Sequence, residues 1–359
     1  MSQNVKTRPE EISHGVNATP PEKSDRTVGS KPAAATSFQG LAASLPRLLA
    51  PTLLLVLVVT FGVMSPNFLT ASNLLGVVNQ YALLLLAAIA MTVIVRSGGI
   101  DLSIGVAIDL AALTTAFLLY DGFVAWFSIL FGVMTGIVVG AINAVLVVGL
   151  KVRPFMATLS IWFIGAGVQL VATGGGSPIY LSASRTPEDF QFLARGSVLG
   201  IGIPILTALL VLVAVWILLE RSRWGRIVTI AGEQPRTVRI AGRRSSAALA
   251  GAWLVAGAIA SVAGILLAAR SQGFVVNGGQ AYLLDAIGAV FIGATLSRTG
   301  RPTLAGTAIG VLIFGILANG MNLIGLSFHW QGLARGAVLL LILLLAARLS
   351  KGHILQRKT

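Results

Sequence analysis

Charge interrupts this chain so rarely that apolar runs of membrane-spanning length recur from residue 48 to residue 348, and that pattern leaves few folds open. A hydrocarbon core of ~30 Å takes about 20 apolar residues to cross as a helix, and a helix satisfies its own backbone polar groups where no water can. Hydrophobic residues make up 55% of the 359 and charged residues only 11%, too little charge to clothe a soluble domain of this size. The runs predict an all-α polytopic membrane protein with about ten transmembrane helices. They fall at 48–64, 74–95, 104–120, 123–150, 155–172, 199–219, 247–269, 283–297, 303–323 and 333–348. The fourth is long enough to tilt or to include an interfacial piece. The eighth is short enough to be a partial span supported by its neighbours.

The flanks differ in character. Residues 1–46 are polar and rich in Pro, Ser and Thr, which predicts a disordered cytoplasmic tail. This stretch is too long and too mixed in charge for the n-region of a signal peptide, so the run from Leu48 reads as a retained span. The membrane domain then covers 47–349, and 350–359 is a second short tail. With the amino terminus inside, 22 of the 26 Lys and Arg fall in cytoplasmic segments, leaving Arg185, Arg195, Arg270 and Arg335 outside. That asymmetry puts both termini in the cytoplasm. It also accounts for the net charge of +14 without a nucleic-acid partner, because the basic residues sit in short connections between apolar runs.

Several chemistries are excluded. There is no cysteine, hence no disulfide, thiolate ligand or cysteine nucleophile, and His14, His329 and His353 lack metal-ligand spacing. Nothing matches G-x-x-x-x-G-K-[ST], so the chain holds no nucleotide-binding loop, and no metal or other cofactor of its own is expected. No catalytic constellation points to an enzyme. The spans also lack the acidic chain of a proton-coupled carrier. Asp101 and Asp285 lie beside Gly-rich breaks where a helix-end role is available, whereas Asp109 falls inside a span, where a carboxylate is a functional candidate by default.

"RSGGIDLSIG", residues 96–105, breaks two apolar runs. Gly98 and Gly99 can supply a tight turn. Asp101 or Ser103 can accept from free backbone N–H groups where the third span begins, with Arg96 near enough to pair with Asp101. A second reading stays open. If 72–80 is interfacial and the span starts at Tyr81, only about 15 residues precede the break, which then lies at depth as a broken helix lining a pathway. Gly132, Gly136 and Gly140, and Gly306 and Gly310, recur every four residues and predict close helix contacts, within the subunit or at a dimer seam.

The loop 220–246 holds seven arginines against Glu220 and Glu233. Within it "EQPRTVRIAG" suits a short amphipathic helix at the membrane surface. On charge alone it is either a solvated basic loop or a docking helix for a cytoplasmic partner.

Five stretches in order carry a resemblance: "SGGIDLSIG", "GAINAVLVVGLKVRPFMATLS", "TGGGSPI", "YLLDAIGAVFIGATLSRTGRPTLAGTAIG" and "NLIGLSFHWQGLARG", with "AGEQPRTVRIAGRRSS" between the third and fourth. Over residues 45–350 the chain resembles the ribose-type monosaccharide permeases of the ATP-binding-cassette importers. It departs from that pattern in having Ala144 after Asn143 and in carrying Asp109. The resemblance implies an importer permease fold in the inner membrane, paired with a second copy or a paralogue. It implies a cytoplasmic protein with two ATPase domains, which uses the ATP and Mg, and a periplasmic sugar-binding protein.

On this resemblance Glu233, Arg236, Arg239, Arg243 and Arg244 contact the ATPase, and Gly98, Gly99, Asp101 and Ser103 form the family hinge motif. A neutral sugar calls for neutral hydrogen-bonding groups along its path. Candidates are Asn79, Gln80, Asn143, Thr158, Asn319 and Asn322, each of which can equally bond a neighbouring helix. The rivals are a branched-chain amino-acid permease, for which Asp109 is the only hint, and a secondary transporter working without an ATPase.

Overall fold

In a computed structural model of the chain, twelve α-helices and four two-residue strands are described. The described residues are 33–182, 186–234, 237–238, 245–297, 299–327 and 329–356, with side chains described from 47 to 347. Two compact units divide the chain, Met1–Gly40 and Leu41–Thr359, and the second carries the membrane-spanning helices.

The helices are α1 Ala33–Met64, α2 Ala71–Arg96, α3 Ile104–Tyr120, α4 Ala125–Ala144, α5 Pro154–Ala172, α6 Glu188–Arg195, α7 Ile203–Trp216, α8 Arg223–Glu233, α9 Ser245–Ser271, α10 Gln280–Thr295, α11 Leu304–Leu323 and α12 His329–Gln356. Wider π turns extend α4 over Val145–Gly149 and α7 over Ile217–Arg221. Among the described residues, eight helical stretches are long and apolar enough to cross a membrane, and α3 and α10 are shorter apolar helices. The ten segments expected from the sequence all coincide with helices.

Helix also covers 33–46, within the stretch expected to be disordered, and α12 continues to Gln356 in the expected carboxy-terminal tail. A helix can continue into polar sequence once its apolar part is anchored.

Burial separates centre from rim. Over the most apolar 18 residues of each helix, α2 and α9 are 72% buried and α11 67%, against 11% in α1 and 6% in α12. α9 packs on α2, α3 and α4, and α11 packs on α2 and α10. The glycine faces make these contacts. A Cβ on Gly136 would meet the Gly257 carbonyl, and one on Gly140 would meet the Trp253 carbonyl, so α4 lies backbone to backbone on α9. Gly306 and Gly310 bring α11 equally close to Gly293 and Ala289 of α10. Both faces are therefore spent within the subunit. Lipid gives helices no hydrophobic reason to associate, so close approach of this kind supplies the dispersion contact that holds them together.

Away from the charge-rich face, α6 and the pairs β1 (Ile179–Tyr180) with β4 (Gly273–Phe274) and β2 (Ser197–Val198) with β3 (Ile201–Gly202) build a small cap. Phe190 and Phe274 anchor it on the ends of α3 and α9.

Candidate functional site

The break after α2 is a turn at the end of a complete helix. α2 has 26 residues, ~39 Å, and is one continuous helix from Ala71, mostly exposed over residues 71–80 and mostly buried from Ala82 to Ile94. Gly98 takes φ +88°, a conformation that suits glycine, and closes the turn. The chain then climbs back along α5. Gly99 packs on Pro154, the Leu102 N–H donates to Thr158 Oγ1 at 3.1 Å, and Gly165 packs on Val106. From its place between the Thr158 and Gly165 contacts, α3 begins about 10 Å along α5 from the turn, at the helical rise of 1.5 Å per residue.

There α3 meets α10 end to end. A Cβ on Gly279 would lie 2.6 Å from the Gly105 carbonyl oxygen, and one on Gly105 would lie 3.0 Å from Gln280 Cα. Two helix amino termini, each with free N–H groups and positive partial charge, thus converge inside the bundle. A buried aspartate serves each of them. Asp101 Oδ1 accepts from the Ser103 N–H at 2.7 Å and the Ser103 hydroxyl at 2.6 Å. Asp109 Oδ1 accepts from the Gly279 N–H at 2.5 Å.

The predicted pairing of Arg96 with Asp101 is not formed. Arg96 forms an ion pair with Glu220 and donates to Thr229 Oγ1 from Nε and Nη2 at 3.2 and 3.0 Å. Asp101 is turned toward Ser103 on the far side of the turn, leaving Arg96 to α8.

α8 is the described amphipathic helix of the 220–246 loop, and it lies amino-terminal to the predicted position. Ser222 caps it by accepting from the Gly225 N–H at 3.0 Å. Gly225, Val228 and Thr229 are buried at helical spacing while Arg223, Arg226 and Glu233 face outward. Of "EQPRTVRIAG" only Glu233, Gln234, Thr237 and Val238 are described, and Arg236, Arg239, Arg243 and Arg244 lie outside the described residues. Three further contacts fix α8. Gly232 abuts the backbone of Arg96–Gly98, Trp224 Nε1 donates to the Ala248 carbonyl at 3.1 Å, and Glu233 pairs with Arg301 in the α10–α11 connection. The hinge motif and the charged loop, 124 residues apart at the Arg96–Glu220 contact, form one assembly.

The polar residues proposed for a solute path separate into three groups. Asn143 and Thr158 are fully buried. Asn143 Nδ2 donates to Ser103 Oγ at 2.7 Å and Thr158 braces Leu102, so both support the hinge motif. Asn79 lies against Gly202, and Asn322 Oδ1 accepts from Gln331 Nε2 at 2.7 Å. Gln80 and Asn319 line an open cleft of about 530 Å³ with Asn67, Thr70, Ser72, Asn73, Gly76 and Val77. In it Asn73 and Asn319 exchange reciprocal amide hydrogen bonds at 3.0 and 2.9 Å. The cleft lies at the opposite end of α2 from Arg96.

Sequence reasoning missed Glu220 as a partner, and with it Thr229, Gly232, Arg301 and Asn73. The sign of Glu220 among seven arginines was a signal for it. Two placements also change. Asp285 lies inside α10 and Arg335 inside α12, where they pair with each other rather than sitting at a break and in an outer connection. Asp109 is fully buried and caps the start of α10. Among the described residues no group of three or more His, Asp or Glu could hold a metal ion.

A bundle of apolar helices with broken helices meeting in its interior, a polar cleft at one end and a braced amphipathic helix at the other is a multi-pass membrane permease. The chain belongs to the family described as branched-chain amino acid transport system / permease component, whose pattern matches residues 73–343. It is 35% identical to the ribose import permease protein RbsC of Bacillus subtilis over 81% of this chain and 90% of that protein. With RbsC of Escherichia coli K12 it shares 32% over the same proportions. The autoinducer 2 import system permease protein LsrD of Escherichia coli is 30% identical over 81% of this chain and 88% of its own length. No solved structure is significantly similar to the chain. With these relatives, the resemblance to ribose-type permeases stands, and the chain is a transport subunit rather than an enzyme.

Proposed function

We propose that the chain is the inner-membrane subunit of an ATP-binding-cassette importer for a neutral polyhydroxy solute of monosaccharide size. The observation that carries the solute class is the cleft. Its polar lining is made of amides and hydroxyls from Asn67, Thr70, Ser72, Asn73, Gln80 and Asn319, groups that can both donate to and accept from sugar hydroxyls. No charged side chain of the kind that favours a zwitterionic amino acid lines the cleft. The names of the ribose and autoinducer-2 relatives favour the same reading.

On this reading Arg96, α8 and the α10–α11 connection face the cytoplasm and the cleft faces outward, as the excess of Lys and Arg in those connections favours. A binding protein then delivers solute to the cleft. A separate ATPase, which binds the ATP and Mg, engages the exposed side of α8 and the loop after it. A second copy or a paralogue completes the pathway. The Gly98–Gly232 contact and the Arg96–Glu220 and Glu233–Arg301 pairs make α8, the α2–α3 turn and the start of α11 a stiff unit. A push on α8 is then delivered to the hinge motif instead of being absorbed by a flexible loop.

Reconstitution with the cognate ATPase and binding protein tests this reading. ATP-dependent uptake of a pentose, hexose or polyol is expected. Uptake of leucine in preference to all of these, or full uptake without the ATPase, would overturn it.

A further inference from the structure

The Asp285–Arg335 pair is an ionic contact inside the membrane-spanning part of the bundle, and neither the hinge, α8 nor the cleft uses it. Asp285 is in α10, Arg335 in α12, and the pair sits by Tyr81, ten residues into the 26-residue α2 and hence near its middle. Arg335 Nη2 also reaches Gln331 Oε1 at 3.4 Å, and Gln331 Nε2 donates to Asn322 at 2.7 Å. Asn322, Gln331, Arg335 and Asp285 thus form a polar ladder from the end of α11 down one side of α12 to mid-depth. Arg335 Nε is buried with no acceptor, and one more hydrogen-bonding direction of the guanidinium is therefore unused.

The ladder is not sealed. The side chains of Arg335 and Asp285 keep 25% and 17% exposure, and Ala281, one turn before Asp285 on the same side of α10, is exposed. Ionised groups facing hydrocarbon cost several kcal/mol, and ionisable residues in spans accordingly face protein or water-filled space. α12 is a rim helix, 6% buried over its most apolar 18 residues, so there is little protein of this subunit to cover that side. What suits such a surface is an aqueous passage. A paired guanidinium and carboxylate, flanked by two amides, presents donors and acceptors a few ångströms apart with no net charge. Adjacent hydroxyls of a polyol, each both donor and acceptor, match that pattern.

We propose that this ladder lines the solute pathway and that Arg335 and Asp285 hydrogen-bond to the solute during transit. The proposal rests on the polyhydroxy-solute reading. Wild-type uptake is measured first, and its failure for every polyol would strike that reading rather than this one.

The chain has no cysteine, so single cysteines can be read directly. Ala281→Cys and Gln331→Cys are expected to react with a membrane-impermeant thiol reagent in vesicles, and the transported solute should slow the reaction. Leu333→Cys, near Gln331 in sequence but 66% exposed on the opposite side of α12, should not react. Asp285→Asn and Arg335→Gln should each raise the KM for uptake at least tenfold at normal membrane abundance. The exchange Asp285→Arg with Arg335→Asp separates the two roles. A purely structural tie is restored by the exchange, whereas solute contact is not. An unreactive Ala281→Cys, reactivity indifferent to solute, or wild-type KM in the exchanged protein would each overturn the proposal.

Discussion

Gly98 and Gly232 meet backbone to backbone: a Cβ on Gly98 would lie 2.6 Å from the Gly232 carbonyl oxygen, and one on Gly232 would lie 2.7 Å from the Gly98 nitrogen. The contact joins the turn after α2 to the amino-terminal half of the charged loop, and neither glycine can gain a methyl group without separating them. Gly122 offers an internal reference, with the same φ of +88° but open space around it. Gly122→Ala should cost only the left-handed strain of about 1–2 kcal/mol. Gly98→Ala adds overpacking, for a total of about 2–5 kcal/mol. Thermal unfolding of the purified protein should show the larger loss at Gly98, and equal losses would refute a tight junction.

The two ion pairs that hold α8 should differ in worth. Glu233 and Arg301 are 36% and 43% exposed, so Glu233→Gln should change stability by about 0–1 kcal/mol. Arg96 is only 9% exposed, and Glu220→Gln strips its carboxylate while leaving the guanidinium enclosed, at a cost of about 1–3 kcal/mol. If α8 transmits force from the ATPase, both variants should also lower uptake per ATP hydrolysed. Unchanged coupling in both would separate α8 from transmission.

Asp109 should behave as a cap. Asp109→Asn keeps an oxygen for the Gly279 N–H, whereas Asp109→Ala leaves that buried donor unpaired at about 1–3 kcal/mol. Asn is therefore expected to fold and transport far better than Ala. Equal loss in the two variants would mean that the charge itself, not the hydrogen bond, is required.

Asn143 and Asn319, indistinguishable as candidates in the sequence, should fail in different ways. Asn143→Ala removes a buried donor to Ser103 and should lower Tm with KM preserved in the protein that folds. Asn319→Ala lies in the open cleft and should raise KM for uptake with little change in Tm. The reverse assignment would put the solute site on the wrong end of the bundle.

The hinge motif shows how far local sequence reached. Two glycines followed by Asp101 and Ser103 announced a turn and a helix start, and the structure has both, because those preferences depend on a few neighbouring residues. Local spacing pointed Arg96 to the wrong partner. Asp101 was nearest in sequence, yet Glu220 is the group that α8 carries to the guanidinium. Asp109 and Gly279, separated by 170 positions, leave no local trace of their contact.

The sequence by itself determined that this chain crosses a membrane many times as helices, with most of its basic residues in alternate connections and its small-residue faces in contact. Each of these follows from hydropathy, charge placement or side-chain size, properties that act residue by residue along the chain. Only the tertiary structure decided that the two short helices, α3 and α10, meet at their amino termini, that the hinge braces α8, and which neutral residues line the cleft. Those outcomes depend on which helices become neighbours, and that is set by packing summed over the whole bundle.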